Sequence, residues 1–103
     1  MTDVLEAKKK EVVEACRRHG VRTLEAFGST LRPADYRAGR SDIDLLVDFA
    51  PMEPYARVKA YFALRDELEE LLGTHVDLVV KGAVKNAVIA REIERTKKGL
   101  YAA

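Results

Sequence analysis

The chain has 103 residues, enough for one domain over residues 1–103 around a single core and too few for two. With 48% hydrophobic and 34% charged residues, it has the composition of a soluble globular protein and not of a disordered tail or a fibre. Lysine and arginine number 18 against 17 aspartate and glutamate. A net charge of +1 leaves no electrostatic footprint for direct nucleic-acid binding, so any phosphate chemistry must be local.

Residues 3–19 carry Val4, Leu5, Val12, Val13 and Cys16 among lysines and glutamates, and Gly20 follows. That pattern predicts one amphipathic helix with a glycine stop. The opening MTDVLEAKKKE lacks the apolar stretch of a signal peptide, and no apolar run is long enough to cross a bilayer. The single cysteine, Cys16, has no partner for an internal disulfide, and together these features point to the cytoplasm. Val21–Phe27 alternates as a strand and breaks at Gly28-Ser29. Residues 30–41, with Pro33, Gly39 and the arginines Arg32, Arg37 and Arg40, read as a loop with room for a short helical turn.

Ile43–Phe49 is the strongest strand, and Pro51 and Pro54 punctuate its end. Tyr55–Leu72 resumes a helical spacing through Val58, Phe62, Leu64, Leu68, Leu71 and Leu72, and Gly73 closes it. His75–Val80 is a third strand. Val84–Lys97 is a last helix whose basic end, with Arg95, Lys97 and Lys98, suits its dipole. The expected order is helix, strand, loop, strand, helix, strand, helix. This is an α/β (α+β) chain in which one small mixed sheet is flanked by helices. The segment from Val84 to Ala103 is a candidate partner surface, because Ile89, Ile93, Leu100 and Tyr101 exceed what a small core absorbs.

The chemistry concentrates in three places. Strand side chains alternate, so Asp42 and Asp44 share one face while Ile43, Leu45, Val47 and Phe49 share the other. The α-carbons of the two aspartates are roughly 6.5–7 Å apart, a spacing at which two carboxylates converge on one hard cation and its phosphate oxygens. Gly28-Ser29, at the end of the preceding strand, lets backbone approach a phosphate and offers it hydroxyl and amide donors. Asp77 interrupts the apolar HVDLVV and is the natural third member of the cluster, since an acid in a buried strand must be paired or metal-bound.

The bland readings stand beside these. Asp42 and Asp44 can be solvated acids at a strand entrance, and Asp77 a structural acid paired with a lysine or arginine. An EF-hand reading of Asp42, Asp44 and Asp48 fails because Val47 stands where that loop needs glycine. His19 and His75 fall at element ends without metal-ligand spacing, Cys16 is a core filler, and Lys8–Lys10 a wet helix face.

Gly28-Ser29, Arg32, Ser41-Asp42-Ile43-Asp44-Leu45 and Asp77, in this order, resemble the minimal nucleotidyltransferases of the DNA polymerase β-like superfamily. The loop at 30–41 is longer than the family pattern, and Pro33 follows Arg32 where the family commonly has glycine. The resemblance implies a polymerase β-like nucleotidyltransferase fold and a reaction assisted by two magnesium ions with ATP as substrate. It implies Asp42, Asp44 and Asp77 as metal-binding and catalytic residues, Gly28 and Ser29 as the phosphate cradle, and Arg32 as a further phosphate donor. Many such proteins are similar to the antitoxin of a toxin–antitoxin pair. The resemblance thus implies transfer of AMP to a tyrosine of a HEPN-domain ribonuclease toxin, encoded by the adjacent gene. The alternative is a non-catalytic antitoxin that neutralises its toxin by binding alone.

Overall fold

The structure, a computed structural model, describes residues 3–28, 43–83 and 85–103. Its elements are α1 (Asp3–Ala7), α2 (Lys9–Arg18), β1 (Val21–Ala26), β2 (Ile43–Phe49), α3 (Pro54–Leu72), β3 (Val76–Val80), α4 (Ala87–Thr96) and β4 (Lys98–Ala102). The strands form one mixed sheet in the order β3-β2-β1-β4. β1 runs antiparallel to both β2 and β4, and β2 runs parallel to β3. Among the described residues, no helix is long and apolar enough to cross a membrane.

Ile43, Leu45, Val47 and Phe49 of β2 are buried together, as their alternation requires, under a layer that includes Leu5, Val12, Ala15, Cys16, Leu64, Leu68 and Leu72. In β1 the core residues are Val21, Leu24 and Ala26, a spacing that strict alternation does not give. A bulge accounts for it. Val21 pairs with Phe49 and Thr23 with Asp48, so Arg22 is an extra residue that resets the phase of the strand.

The first helix departs from the sequence expectation. It divides at Lys8 into α1 and α2, although hydrogen bonds from Lys8 N to Val4 O and from Val12 N to Lys8 O carry the ladder through the break. α3 begins with Pro54 in its first turn, where a missing N–H costs nothing. It ends at Gly73, whose φ of 69° is the left-handed cap that glycine adopts freely. Only its second half is buried by leucines, at Leu64, Leu68 and Leu72. Tyr55, Val58 and Phe62 of the first half are exposed.

The largest departure lies beyond α4. The helix covers only part of the expected Val84–Lys97 and starts at an N-cap, Asn86, whose Oδ1 accepts hydrogen bonds from the backbone N–H groups of Val88 and Ile89. Lys98–Ala102 then forms a fourth strand on the outer side of β1, which turns β1 into an interior strand. Leu100 is consequently buried and Tyr101 half-buried against the core, so neither is surplus apolar surface. Lys97, at the turn, lies 3.5 Å from Glu25 and 2.9 Å from Glu94, and its hydrogen bond to Glu94, ahead of the charge on Glu25, holds its ammonium above the usual lysine pKa.

α4 lies on the face opposite the core. Leu46 and Ile93 are both buried, stand outside the main core, and line one cavity together with Ala90, Lys81 and Gly82. β3 is an edge strand, and α3 reaches its outer side twice. Glu69 Oε2 accepts from Val76 N at 2.9 Å, and the Tyr61 hydroxyl donates to Leu78 O at 2.6 Å.

Candidate active site

The face of the sheet that carries α4 also carries the acids. Asp44 and Leu46 are two apart on β2, so they point the same way. On β3 the residue in register with Asp44 is Asp77. Paired residues of neighbouring strands face the same side, and adjacent strands are roughly 4.8 Å apart, so these two carboxylates rise side by side. Asp44 is half-buried and Asp77 exposed. The sequence argument for Asp77, that a buried acid needs a partner, is therefore corrected: β3 is an edge strand and its aspartate meets solvent. Among the described residues no lysine or arginine is ion-paired with Asp77.

Gly28 closes the third side. It follows β1 with φ of 65°, a left-handed conformation that side chains resist. A Cβ built on it would meet Asp44 Oδ2 at 2.8 Å, closer than carbon and oxygen can pack. The neighbouring amide, Phe27 N, donates to Asp44 O at 3.1 Å. Glycine is thus required here twice, by its φ and by the carboxylate against it. Two carboxylates suit a hard divalent cation such as magnesium, which takes oxygen ligands. Among the described residues no group of three possible metal ligands forms.

Of the residues the sequence singled out, Gly28, Asp44 and Asp77 come together. Ser29, Arg32 and Asp42 lie outside the described residues, as do Arg37 and Arg40. His19 and His75 do fall at element ends, each against a glutamate: His19 Nε2 is 2.9 Å from Glu67 Oε1, and His75 Nδ1 is 2.8 Å from Glu69 Oε2. What sequence reasoning missed is a cleft of about 410 Å³ beside Gly28, lined by Phe27, Val88, Ile89, Glu92, Ile93 and Thr96. The only sequence signal for it is the pair Val88-Ile89 behind a capping asparagine, which reads equally well as ordinary core.

Residues 9–99 match the family described as a nucleotidyltransferase domain. A protein of Methanocaldococcus jannaschii, provisionally named a protein adenylyltransferase, is 40% identical over 92 residues, which cover 89% of this chain and 86% of that protein. The protein adenylyltransferase MntA of Thermococcus cleftensis is 39% identical over 93 residues, covering 87% and 86%. Among solved structures, a provisionally assigned minimal nucleotidyltransferase superposes with a TM-score of 0.75 at 29% identity, over 94% of this chain and 95% of that one. A chain from the complex of a tri-AMPylated Shewanella oneidensis HEPN toxin with its MNT antitoxin superposes with a TM-score of 0.63 at 22% identity, over 95% and 72%, a likeness of fold. Sequence and architecture agree on one placement: this chain belongs to the nucleotidyltransferase domain family, among its minimal members with the polymerase β-like fold.

Proposed function

We propose that residues 1–103 act as one minimal domain that transfers AMP from ATP to a tyrosine of a HEPN-domain ribonuclease toxin, encoded by the adjacent gene, and so neutralises it as an antitoxin in the cytoplasm. The observation that supports this reading best is the contact of Gly28 with Asp44, and the register of half-buried Asp44 with exposed Asp77. Relatives named protein adenylyltransferases, at about 40% identity over most of both chains, support it, as does the fold shared with an antitoxin of an AMPylated toxin.

In the proposed reaction the tyrosine hydroxyl oxygen attacks the α-phosphorus of ATP, the bond from that phosphorus to the bridging oxygen breaks, and pyrophosphate leaves with the electron pair. When bound, two magnesium ions would supply the positive charge that the triphosphate and the leaving pyrophosphate need. Asp44 and Asp42 are the carboxylates that would hold them. Gly28 and Ser29 bring backbone and hydroxyl donors to the phosphate oxygens, and Arg32 adds a planar donor. Asp77, the exposed acid, orients the incoming hydroxyl and takes its proton.

The test is an intact mass spectrum of the partner toxin after incubation with this chain, magnesium and ATP, with Asp44→Asn as control. The expected result is a mass gain in whole AMP units that the variant lowers by two orders of magnitude or more, with fragmentation locating AMP on tyrosine. An unmodified toxin held in a stable complex would overturn it and favour neutralisation by binding.

A further inference from the structure

We propose that the cleft between β1 and α4 is the seat of the nucleotide's adenine ring; this inference rests on the reading of the chain as an AMP transferase. The order of groups across the sheet carries it. Asp77 stands on the edge strand β3, Asp44 on β2, and Gly28 at the end of β1. Gly28 is at once the contact of Asp44 and a wall of the cleft, which opens beyond it under α4. A ligand whose phosphates lie at Gly28 and Asp44 therefore has two directions in which to extend. Toward Asp77 lies the exposed acid and the approach of the acceptor. Toward α4 lies an apolar recess, and the nucleoside is the part of the ligand that has a flat apolar body.

The recess suits a base in three respects. Its volume of about 410 Å³ falls within the range of small-ligand sites. Phe27 offers an aromatic ring, and bases stack on such rings regardless of identity. Its polar members are occupied elsewhere: Glu92 Oε1 accepts from Arg95 at 2.7 Å and Thr96 Oγ1 donates to Glu92 O at 2.8 Å, so Val88, Ile89 and Ile93 set its character. Val88 and Ile89 are also the two residues whose amides Asn86 caps, which fixes their turn while leaving them 76% and 52% exposed. Apolar side chains held rigidly at a lip, and not folded into the core, are placed to cover a ligand.

The test uses the full chain with magnesium and two probes: a non-hydrolysable ATP analogue, which carries the base, and inorganic tripolyphosphate, which does not. Ile89→Ser removes an exposed side chain, and Phe27→Leu keeps apolar bulk while deleting the ring; thermal melting confirms that both fold. Calorimetry should show each variant binding the analogue at least tenfold more weakly while tripolyphosphate binding stays within twofold of the unsubstituted chain. Analogue affinity retained in both variants overturns the inference, and does so decisively if the KM for the toxin rises instead, since the cleft then receives the acceptor. Equal weakening of both probes also overturns it, because the effect would then pass through the Gly28 turn. Failure of the functional reading is distinguishable: the toxin would then stay unmodified by the unsubstituted chain, whatever the analogue affinities of the two variants.

Discussion

Among the described glycines, Gly28 carries the tightest geometric demand. Alanine there must hold a left-handed φ, at a cost of about 1–2 kcal/mol, and must also displace the Asp44 carboxylate that its Cβ would meet at 2.8 Å. Gly28→Ala should therefore lower AMP transfer by more than tenfold while costing only modest stability, and a turnover assay beside a thermal melt would separate the two. Cys16 is the opposite case, a residue whose chemistry is silenced. It is fully buried, and burial pushes its thiol up from an ordinary 9.0 to about 12. A folded-state pKa raised above the unfolded one stabilises the fold below the unfolded value and loses that contribution as pH rises through the folded value. Native protein should thus resist thiol reagents at pH 8, and its stability should decline from about pH 9 toward pH 12; rapid labelling at pH 8 would contradict this. Ser29, Arg32 and Asp42 lie outside the described residues, whereas the face that Asp44 occupies was legible in sequence because strand alternation fixes faces. The exposure of Asp77 was not, since alternation says nothing about whether a strand is central or at an edge.

Among the elements, β2 was read to the residue because both its faces have chemical character, apolar on one and acidic on the other. β4 was not read at all. Its five residues, KGLYA, follow α4 after only Lys97, without a turn signal, and their basic start continues the pattern of a helix end. The pairing partner that makes them a strand lies more than seventy residues earlier in β1. The break at Lys8 was equally hidden, because neither glycine nor proline marks it. α4 depends on a local device that was visible only in part: Asn86 satisfies two of its orphan N–H groups, at 2.9 and 3.1 Å. Asn86→Ala should cost about 1 kcal/mol in a denaturant titration. Because Val88 and Ile89 ride on that turn, the same substitution should weaken binding of the ATP analogue several-fold while leaving tripolyphosphate untouched.

Taken whole, the described residues form a sheet with a packed side and a side that carries Asp44, Asp77 and α4. The class of fold and the packed side followed from apolar periodicity. The strand order did not, since the parallel pairing of β2 with β3 and the return of β4 to β1 are contacts between distant segments. β3 sits at an edge of that sheet, and an open edge is a template on which other chains add strands. The two bonds from α3 to β3 close it off, Tyr61 on the Leu78 carbonyl and Glu69 on the Val76 amide. Tyr61→Phe would expose that carbonyl, with an expected loss of about 1 kcal/mol and faster growth of thioflavin-positive aggregates under mild heating. Unchanged aggregation would show that the edge is guarded by other means. The same two side chains thereby oppose growth of the sheet past Asp77: a foreign strand that zipped onto β3 would lie beside this carboxylate and, in the proposed reaction, crowd the approach of the acceptor hydroxyl. On the proposed reaction, guarding the edge against amyloid-like stacking and keeping the way to the acids clear are one and the same piece of carpentry.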